Sequence, residues 1–306
     1  MYRDISAAVM GSINMDIILK ADRLPEVGEN VLGSDYSYAF GGKGANQATG
    51  LVRLGARTKM IGKVGNDANG IRLTENLRNN NIDISGVATD GTSTGLAAIL
   101  IDKDGRNRII VYEGANTEIV PDDAKKYISD ELDVLLVQFE TNEEAVVSCV
   151  NEAIRKGIVT VVDCGPAKNF CLERMQGVTI ITPNENETEA LTGIFPADEK
   201  SILTASRMLF ERSKARYVVL KLGERGSSVY DGERLEIFPS YPARVLDTTA
   251  AGDSFTAALA LEYVKSGDIR AAAVMGNKAG AIAVSRVGAD ASMPTAEELI
   301  NFATKK

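Results

Sequence analysis

The chain has 306 residues, 44% of them hydrophobic and 25% charged, proportions ordinary for a globular protein with room for one large core. A formal net charge of −8 and a pI near 4.9 leave no basic surface for a nucleic-acid backbone or an anionic membrane. Histidine is absent, which excludes serine–histidine and cysteine–histidine nucleophiles, histidine-bound zinc and imidazole bases. Carboxylates, lysine, arginine, backbone amides and an oxygen-held cation remain. The three cysteines, Cys149, Cys164 and Cys171, are odd in number and form no CxxC pair, which points to reduced thiols and a cytoplasmic protein. The opening apolar stretch, residues 7–10, is too short for a signal peptide or membrane span, and no apolar run of about 18 residues occurs later in the chain.

In chain order, residues 5–10 read as a buried strand closed by Gly-Ser, so Asn14 and Asp16 stand just past its end. Residues 31–40 and 95–112 have β composition, and Asp102-Lys103-Asp104-Gly105 reads as a hairpin turn within the second. With no helix beside either segment, they predict a small sheet apart from the main body, a lid built from segments of about 13–41 and 94–114. A strand over 59–64 leads into a helix over 67–80. After Pro121, strands over 134–139, 159–163, 179–181, 217–222, 227–230 and 235–239 alternate with helices over 143–156, 185–192 and 201–213. Continuous apolar strands such as Val134-Leu135-Leu136-Val137 imply burial on both faces. The expectation is one α/β domain over 1–306: a doubly wound, mainly parallel sheet with helices on both faces, plus the small β lid.

Ligands in such sheets bind beyond the carboxyl ends of the strands. Just past those ends stand Asn14 and Asp16, Glu140, Asp163, Asn184 with Glu187, Gly223 with Gly226, and Asp247 with Asp253. Asp247-Thr248-Thr249-Ala250-Ala251-Gly252-Asp253 leads into an Ala-rich helical pattern over 254–265. Small residues at a helix head leave N–H groups and the dipole open to an anion, so Ala250, Ala251, Gly252 and Asp253 form a candidate anion hole. Asp253 beside it is a candidate base for a hydroxyl attacking a phosphoryl group; a plain helix cap is the structural alternative.

The string Phe40-Gly41-Gly42-Lys43-Gly44-Ala45-Asn46-Gln47-Ala48 is neither a P-loop nor a GxGxxG fingerprint, since Gln47 stands where the last glycine belongs. Its glycines admit a ligand close to the backbone, and Asn46 can donate to and accept from vicinal hydroxyls. Asn184 and Glu187 share a helix face and can hold a water-coated Mg²⁺, or simply start that helix. The loop from Lys221 to Gly226, Asn277 in a helix over 271–284 and the loop over 285–292 say little alone.

Taken together, Gly41 to Ala48, Asn184 to Glu187 and Asp247 to Asp253 occur in the order and spacing of the ribokinase family of carbohydrate kinases, which the chain resembles over nearly its whole length. GGKGANQA with Gly11-Ser12-Ile13-Asn14-Met15-Asp16 is similar to the ribokinase branch more than to fructokinases, adenosine kinases or tagatose-phosphate kinases. The resemblance implies sugar contacts at Asn14, Asp16, Gly42, Lys43, Asn46 and Glu140, with Asp253 as the base. It implies nucleotide contacts at Asn184, Lys221, Gly223, Gly226, Gly252 and Asn277, and a role for Glu187 near Mg²⁺. Asp247, Thr249, Ala283, Arg286, Gly288 and Ser292 match a monovalent-cation site, so a K⁺ requirement is implied. Family members with such a lid often pair through it as homodimers. The activity expected is phosphorylation of D-ribose at O5 by ATP, with another pentose, deoxyribose or a nucleoside as alternative acceptors. A non-catalytic sugar or nucleotide sensor is the alternative from another class, against which an intact Asp253 argues.

Overall fold

Strand periodicity and helix caps account for most of the architecture in this computed structural model, which describes residues 4–167 and 170–302. From β1 (Ser6–Met10) the chain turns into β2 (Asn14–Ala21), returns along β3 (Gly33–Gly41) and enters α1 (Lys43–Arg53). Then come β4 (Arg57–Gly65), α2 (Ala68–Asn79) and β5 (Asp83–Asp90), and the hairpin of β6 (Gly95–Ile101) and β7 (Asn107–Tyr112). A short α3 (Pro121–Lys125) precedes the alternation of β8 (Val134–Gln138), α4 (Glu143–Arg155), β9 (Val159–Asp163) and β10 (Ile180–Ile181). Next are α5 (Glu185–Thr192), α6 (Glu199–Ser213), β11 (Tyr217–Lys221) and the strand pair β12 (Ser227–Tyr230) and β13 (Leu235–Phe238). The chain ends in α7 (Ala251–Ser266), α8 (Ile269–Ala283) and α9 (Ala296–Asn301).

The large sheet runs β13-β12-β11-β10-β9-β8-β1-β4-β5, with β12 antiparallel to both neighbours and every other pair parallel. Successive residues of β8 go to opposite faces, as a pleated strand requires. Val134 and Leu136 pack into a core with Leu51, Leu73, Phe255 and Ile282, whereas Leu135 and Val137 join Val146, Val150, Ile202 and Leu209. Helices therefore cover both faces, α1, α2, α7 and α8 on one and α3, α4 and α6 on the other. The small sheet runs β3-β2-β6-β7; two antiparallel hairpins are joined by the parallel pair β2–β6.

Three features differ from the sequence expectation. Asn14 and Asp16 lie inside β2 rather than in a loop, because the chain passes through one turn and straight into the second sheet. β5 had no signal: Asp83-Ile84-Ser85-Gly86-Val87-Ala88-Thr89-Asp90 mixes polar and apolar residues without alternation, which an edge strand paired only to β4 tolerates. Helix α7 begins at Ala251, three residues early, so its cap is Ala250 in the left-handed region (φ 58°) and Asp253 sits inside the first turn.

Candidate active site

The ends of β1, β8, β9 and β11 meet the heads of α1, α5 and α7, and there the buried polar groups collect. Asp253 is 4% exposed. Its Oδ2 accepts from Asn46 Nδ2 at 3.0 Å and its Oδ1 from Gln47 Nε2 at 3.1 Å, both donors standing near the head of α1. Gln47 Nε2 also reaches Asp163 Oδ2 at 2.9 Å, and Asp163 Oδ1 is ion-paired to Lys221 Nζ at 2.9 Å. Burial works against the Asp163 carboxylate, but Lys221 and then Lys43 outweigh it and hold its pKa below the usual range. Asn46 Oδ1 is buried without a protein partner, an acceptor left for a ligand hydroxyl.

A cavity of about 210 Å³ is lined by Asn14, Val111, Glu113, Asn116, Glu140 and Pro166. Asn116 Nδ2 donates to Asn14 Oδ1 at 2.7 Å, while Ile13 N–H donates to Asn116 Oδ1 at 2.9 Å. The amide nitrogen of Asn14 is thereby the group free to meet a ligand. Glu140 accepts from Ser12 Oγ and from Lys43 N–H. Burial raises the pKa of Glu140, against the opposing charge of Lys43 and the Ser12 hydrogen bond. Burial and then the charge of Glu140 push Asp16 up to about 7. Lys43 is also desolvated, yet Asp163, Asp253, Glu187 and Glu140 surround it and raise its pKa, keeping it charged.

The glycine string is explained by this crowding. A Cβ on Gly41 would lie 2.3 Å from Asp16 Oδ2. Gly42 caps α1 with φ 91°, and a Cβ there would meet Ser12 O at 2.7 Å and Asn14 N at 2.8 Å.

A second cavity, of about 630 Å³, is lined among others by Lys221, Gly223, Gly226, Ala251, Gly252, Phe255 and Asn277. Five of the expected nucleotide-binding positions thus share one wall: Lys221, Gly223, Gly226, Gly252 and Asn277. Asn277 Nδ2 also donates to the carbonyls of Phe238 and Pro239, at 3.1 and 3.2 Å, and so ties α8 to the end of β13. At the head of α7, Ala251 N–H donates to Thr248 O at 3.3 Å and Ser254 N–H to Ala250 O at 2.9 Å. Gly252 and Asp253 are left at the positions where a helix start offers N–H groups to an anion. The left-handed Ala250 turns the chain so that this head faces the cavity.

Asn184 and Glu187 form a reciprocal capping box on α5: Glu187 N–H donates to Asn184 Oδ1 at 2.8 Å, and Asn184 N–H to Glu187 Oε2 at 2.7 Å. Glu187 Oε1 lies against Gly165, where a Cβ would stand 2.2 Å away, and burial raises its pKa although Lys221 opposes. Among the described residues no cluster of three or more acids or cysteines forms a ready metal cage. Asp247 joins two loops, accepting from Thr249 N–H at 2.9 Å and from Gly288 N–H at 2.9 Å. Ala283 O accepts from Arg286 N–H, the Arg286 side chain pairs with Glu298, and Ser292 Oγ donates to Ala289 O at 2.8 Å. Of the positions expected to hold a monovalent cation, Asp247, Thr249 and Gly288 are joined by these bonds, whereas the bonds of Ala283, Arg286 and Ser292 are to other neighbours.

A model of the pfkB family of carbohydrate kinases matches residues 4–296. The chain belongs to that family. This kinase is 34% identical over 299 residues to the ribokinase of Bacillus subtilis, covering 95% of this chain and 97% of that one. It is 36% identical over 298 residues to the bifunctional ribokinase/ribose-5-phosphate isomerase A of Fructilactobacillus sanfranciscensis, covering 96% of this chain and 55% of that protein, so it spans about half the length of that relative. The structure of Arabidopsis thaliana ribokinase complexed with ribose and ATP matches the kinase with a TM-score of 0.88 and 30% identity, over 98% of this chain and 99% of that one.

Four polar residues in the kinase's site were not singled out by sequence: Ser12, Gln47, Asn116 and Gln138. Ser12 and Gln47 stand inside recognised strings, so their signal was adjacency alone. Gln138 looks like the end of an apolar strand, and Asn116 comes after the last strand of the small sheet by a turn that only the three-dimensional path brings to Asn14.

Proposed function

We propose that the kinase transfers the γ-phosphoryl group of ATP to the 5-hydroxyl of D-ribose, giving ribose 5-phosphate and ADP. The observation that carries this reading is Asp253: buried, held at both oxygens by amide donors from the head of α1, and next along α7 to Gly252, which lines the 630 Å³ cavity, while Asn14 and Glu140 line the smaller one. The sugar hydroxyls would be met by Asn14 Nδ2, Asp16, Asn46 Oδ1 and Glu140, with Gly42 and Lys43 closing over them. Asp253 accepts the proton of the 5-hydroxyl as its oxygen bonds to the γ-phosphorus and the bond to the β,γ-bridging oxygen breaks. The N–H groups at the head of α7, Gly252 foremost, receive the charge that spreads over the transferring group. Ala250 and Ala251 shape that turn, and Lys221, Gly223, Gly226, Asn184 and Asn277 hold the nucleotide.

Bound Mg²⁺ would neutralise phosphate charge, and Glu187 is the carboxylate to hold its waters. The carboxylate of Asp247, the Thr249, Ala283, Arg286 and Gly288 carbonyls and the Ser292 hydroxyl would hold K⁺ and stiffen the loop behind the anion hole. The small sheet is read as a lid and as a homodimer face, because Ile109, Ile110, Val111 and Tyr112 of β7 and Tyr36 and Tyr38 of β3 are all exposed. No helix among the described residues is long and apolar enough to cross a membrane, and with the three thiols free we take the protein to be cytoplasmic.

The test is ATP-dependent phosphorylation of pentoses, hexoses and nucleosides with Mg²⁺, with and without K⁺. D-ribose should be preferred, K⁺ should activate, and Asp253→Asn should lower kcat by roughly a thousandfold. Preference for another acceptor would change the sugar; ligand binding without turnover would make the protein a sensor.

A further inference from the structure

Gln47 touches the base yet has no part in the transfer step itself. Its single amide nitrogen donates to Asp253 Oδ1 at 3.1 Å and to Asp163 Oδ2 at 2.9 Å, and its Oε1 accepts from Gln138 Nε2 at 2.6 Å. All four side chains are buried. We propose that Gln47 is a positioning residue that references the base to the sheet, and that Gln138 fixes the direction in which the Gln47 amide faces. This rests on the reading of Asp253 as the base.

The partners dictate the polarity. Ionised carboxylates only accept, so the end of Gln47 that meets Asp163 and Asp253 is its NH₂, and its oxygen must turn to a donor. Gln138 supplies that donor from the last residue of β8. Its own Oε1 has no hydrogen-bond partner and lies 1.9 Å from where a Cβ on Gly11 would stand, so the space that Gly11 leaves open seats it. Gln138 is in register with Asp163 on β9, and Asp163 is anchored by Lys221. Asp253, on α7, is thus tied through one amide to two neighbouring strands. Because in-line transfer depends on placement to within about an ångström, a base free to drift with its helix would lose rate and leave ground-state binding largely intact.

Two variants test this. Gln47→Met keeps the shape and removes the donor; kcat is expected to fall about tenfold or more, with KM for ribose and ATP within about twofold of the parent. Gln138→Glu is the sharper probe. Protonated, the introduced carboxyl donates to Gln47 Oε1 as the amide does. Ionised, it can only accept, which turns the Gln47 oxygen against Asp253 and Asp163. The charged groups around that seam are Asp163, Asp253, Glu140 and Glu187 on the negative side and Lys43 and Lys221 on the positive. The kcat of Gln138→Glu relative to the parent should therefore decline as pH rises, a limb the parent lacks.

A pH-independent ratio, or Gln47→Met turning over within about twofold of the parent, would overturn the proposal; if Gln47→Met does not fold, the Gln138→Glu profile decides alone. Asp253→Asn measured alongside separates the two readings. An active Asp253→Asn removes the base assignment itself, whereas an inactive Asp253→Asn beside an unaffected Gln47→Met removes only the positioning role.

Discussion

The two sheets of this kinase are built from similar β-forming residues and end in opposite states. β8 in the large sheet is at most 1% exposed at Val134 to Val137, whereas β7 in the small sheet is exposed at every residue. The large sheet has helices on both faces and the small one has little covering it. The first is a fixed frame on which distances between carboxylates can be held to tenths of an ångström. The second contributes Asn14 and Asp16 to the site and otherwise leaves apolar side chains of β3 and β7 exposed. The residues proposed to meet the sugar lie at the seam between the two sheets.

Truncation should separate the two sheets most clearly. Leu136→Ala is expected to cost about 2–5 kcal/mol in chemical denaturation, because the cavity it opens is walled by strands and helices that cannot collapse. Ile110→Ala, on the exposed β7, should change chain stability by less than about 0.5 kcal/mol and instead weaken self-association in sedimentation. Equal losses at both sites would mean that the small sheet is a core element.

Asp16 sharpens the seam. Its pKa is raised to about 7 from an unfolded value of 3.8, so the folded state favours its protonated form. The stability it contributes is fully present below about pH 4 and is lost as pH rises through 7. Asp16→Asn should accordingly be more stable than the parent above pH 7, on the order of 2 kcal/mol, with the gain vanishing near pH 4 in a series of thermal melts. The same variant should bind sugar poorly, and the parent's KM for sugar should climb below pH 7 as the acceptor protonates.

Asp67 is the joint between frame and small sheet, capping α2 through Gly70 N–H at 2.8 Å and accepting from Thr94 N–H at 2.8 Å and Thr94 Oγ1 at 2.7 Å. Asp67→Ala should cost about 1–2 kcal/mol in denaturation and raise the sugar KM more than the ATP KM. A gain rather than a loss is expected at Ala250, whose left-handed backbone a glycine adopts without strain. Ala250→Gly should gain about 1 kcal/mol in Tm-derived stability with KM for ATP unchanged.

Much of the fold was legible because its signals are local. Continuous apolar runs announced the central strands, the polar cap at Asp67 announced α2, and Asp102 to Gly105 announced the hairpin of the small sheet, whereas the cap of α6, Asp198, lies before the expected start at 201. β5 was not, since a mixed edge strand is defined by the neighbour it pairs with and not by its own pattern. At the site, Asp253, Asn46, Lys43 and the glycines were readable as strings. Their partners Gln47, Gln138 and Asn116 acquire meaning only through contacts that span from 91 to 206 positions of chain, and Asp163, read only as a strand-end acid, gains its partners the same way.

By itself the sequence determined the chemistry available: without histidine it is carboxylate chemistry, with glycines and small residues wherever a backbone must come close to a ligand. It also determined a parallel sheet, since strands apolar on every residue have no solvent face to offer. Only the tertiary structure decided how burial and neighbouring charges shift each acid, which amide oxygen faces which donor and where the two cavities lie. Those outcomes depend on burial and on charges brought within a few ångströms of one another, and both are properties of the packed chain rather than of any segment of it.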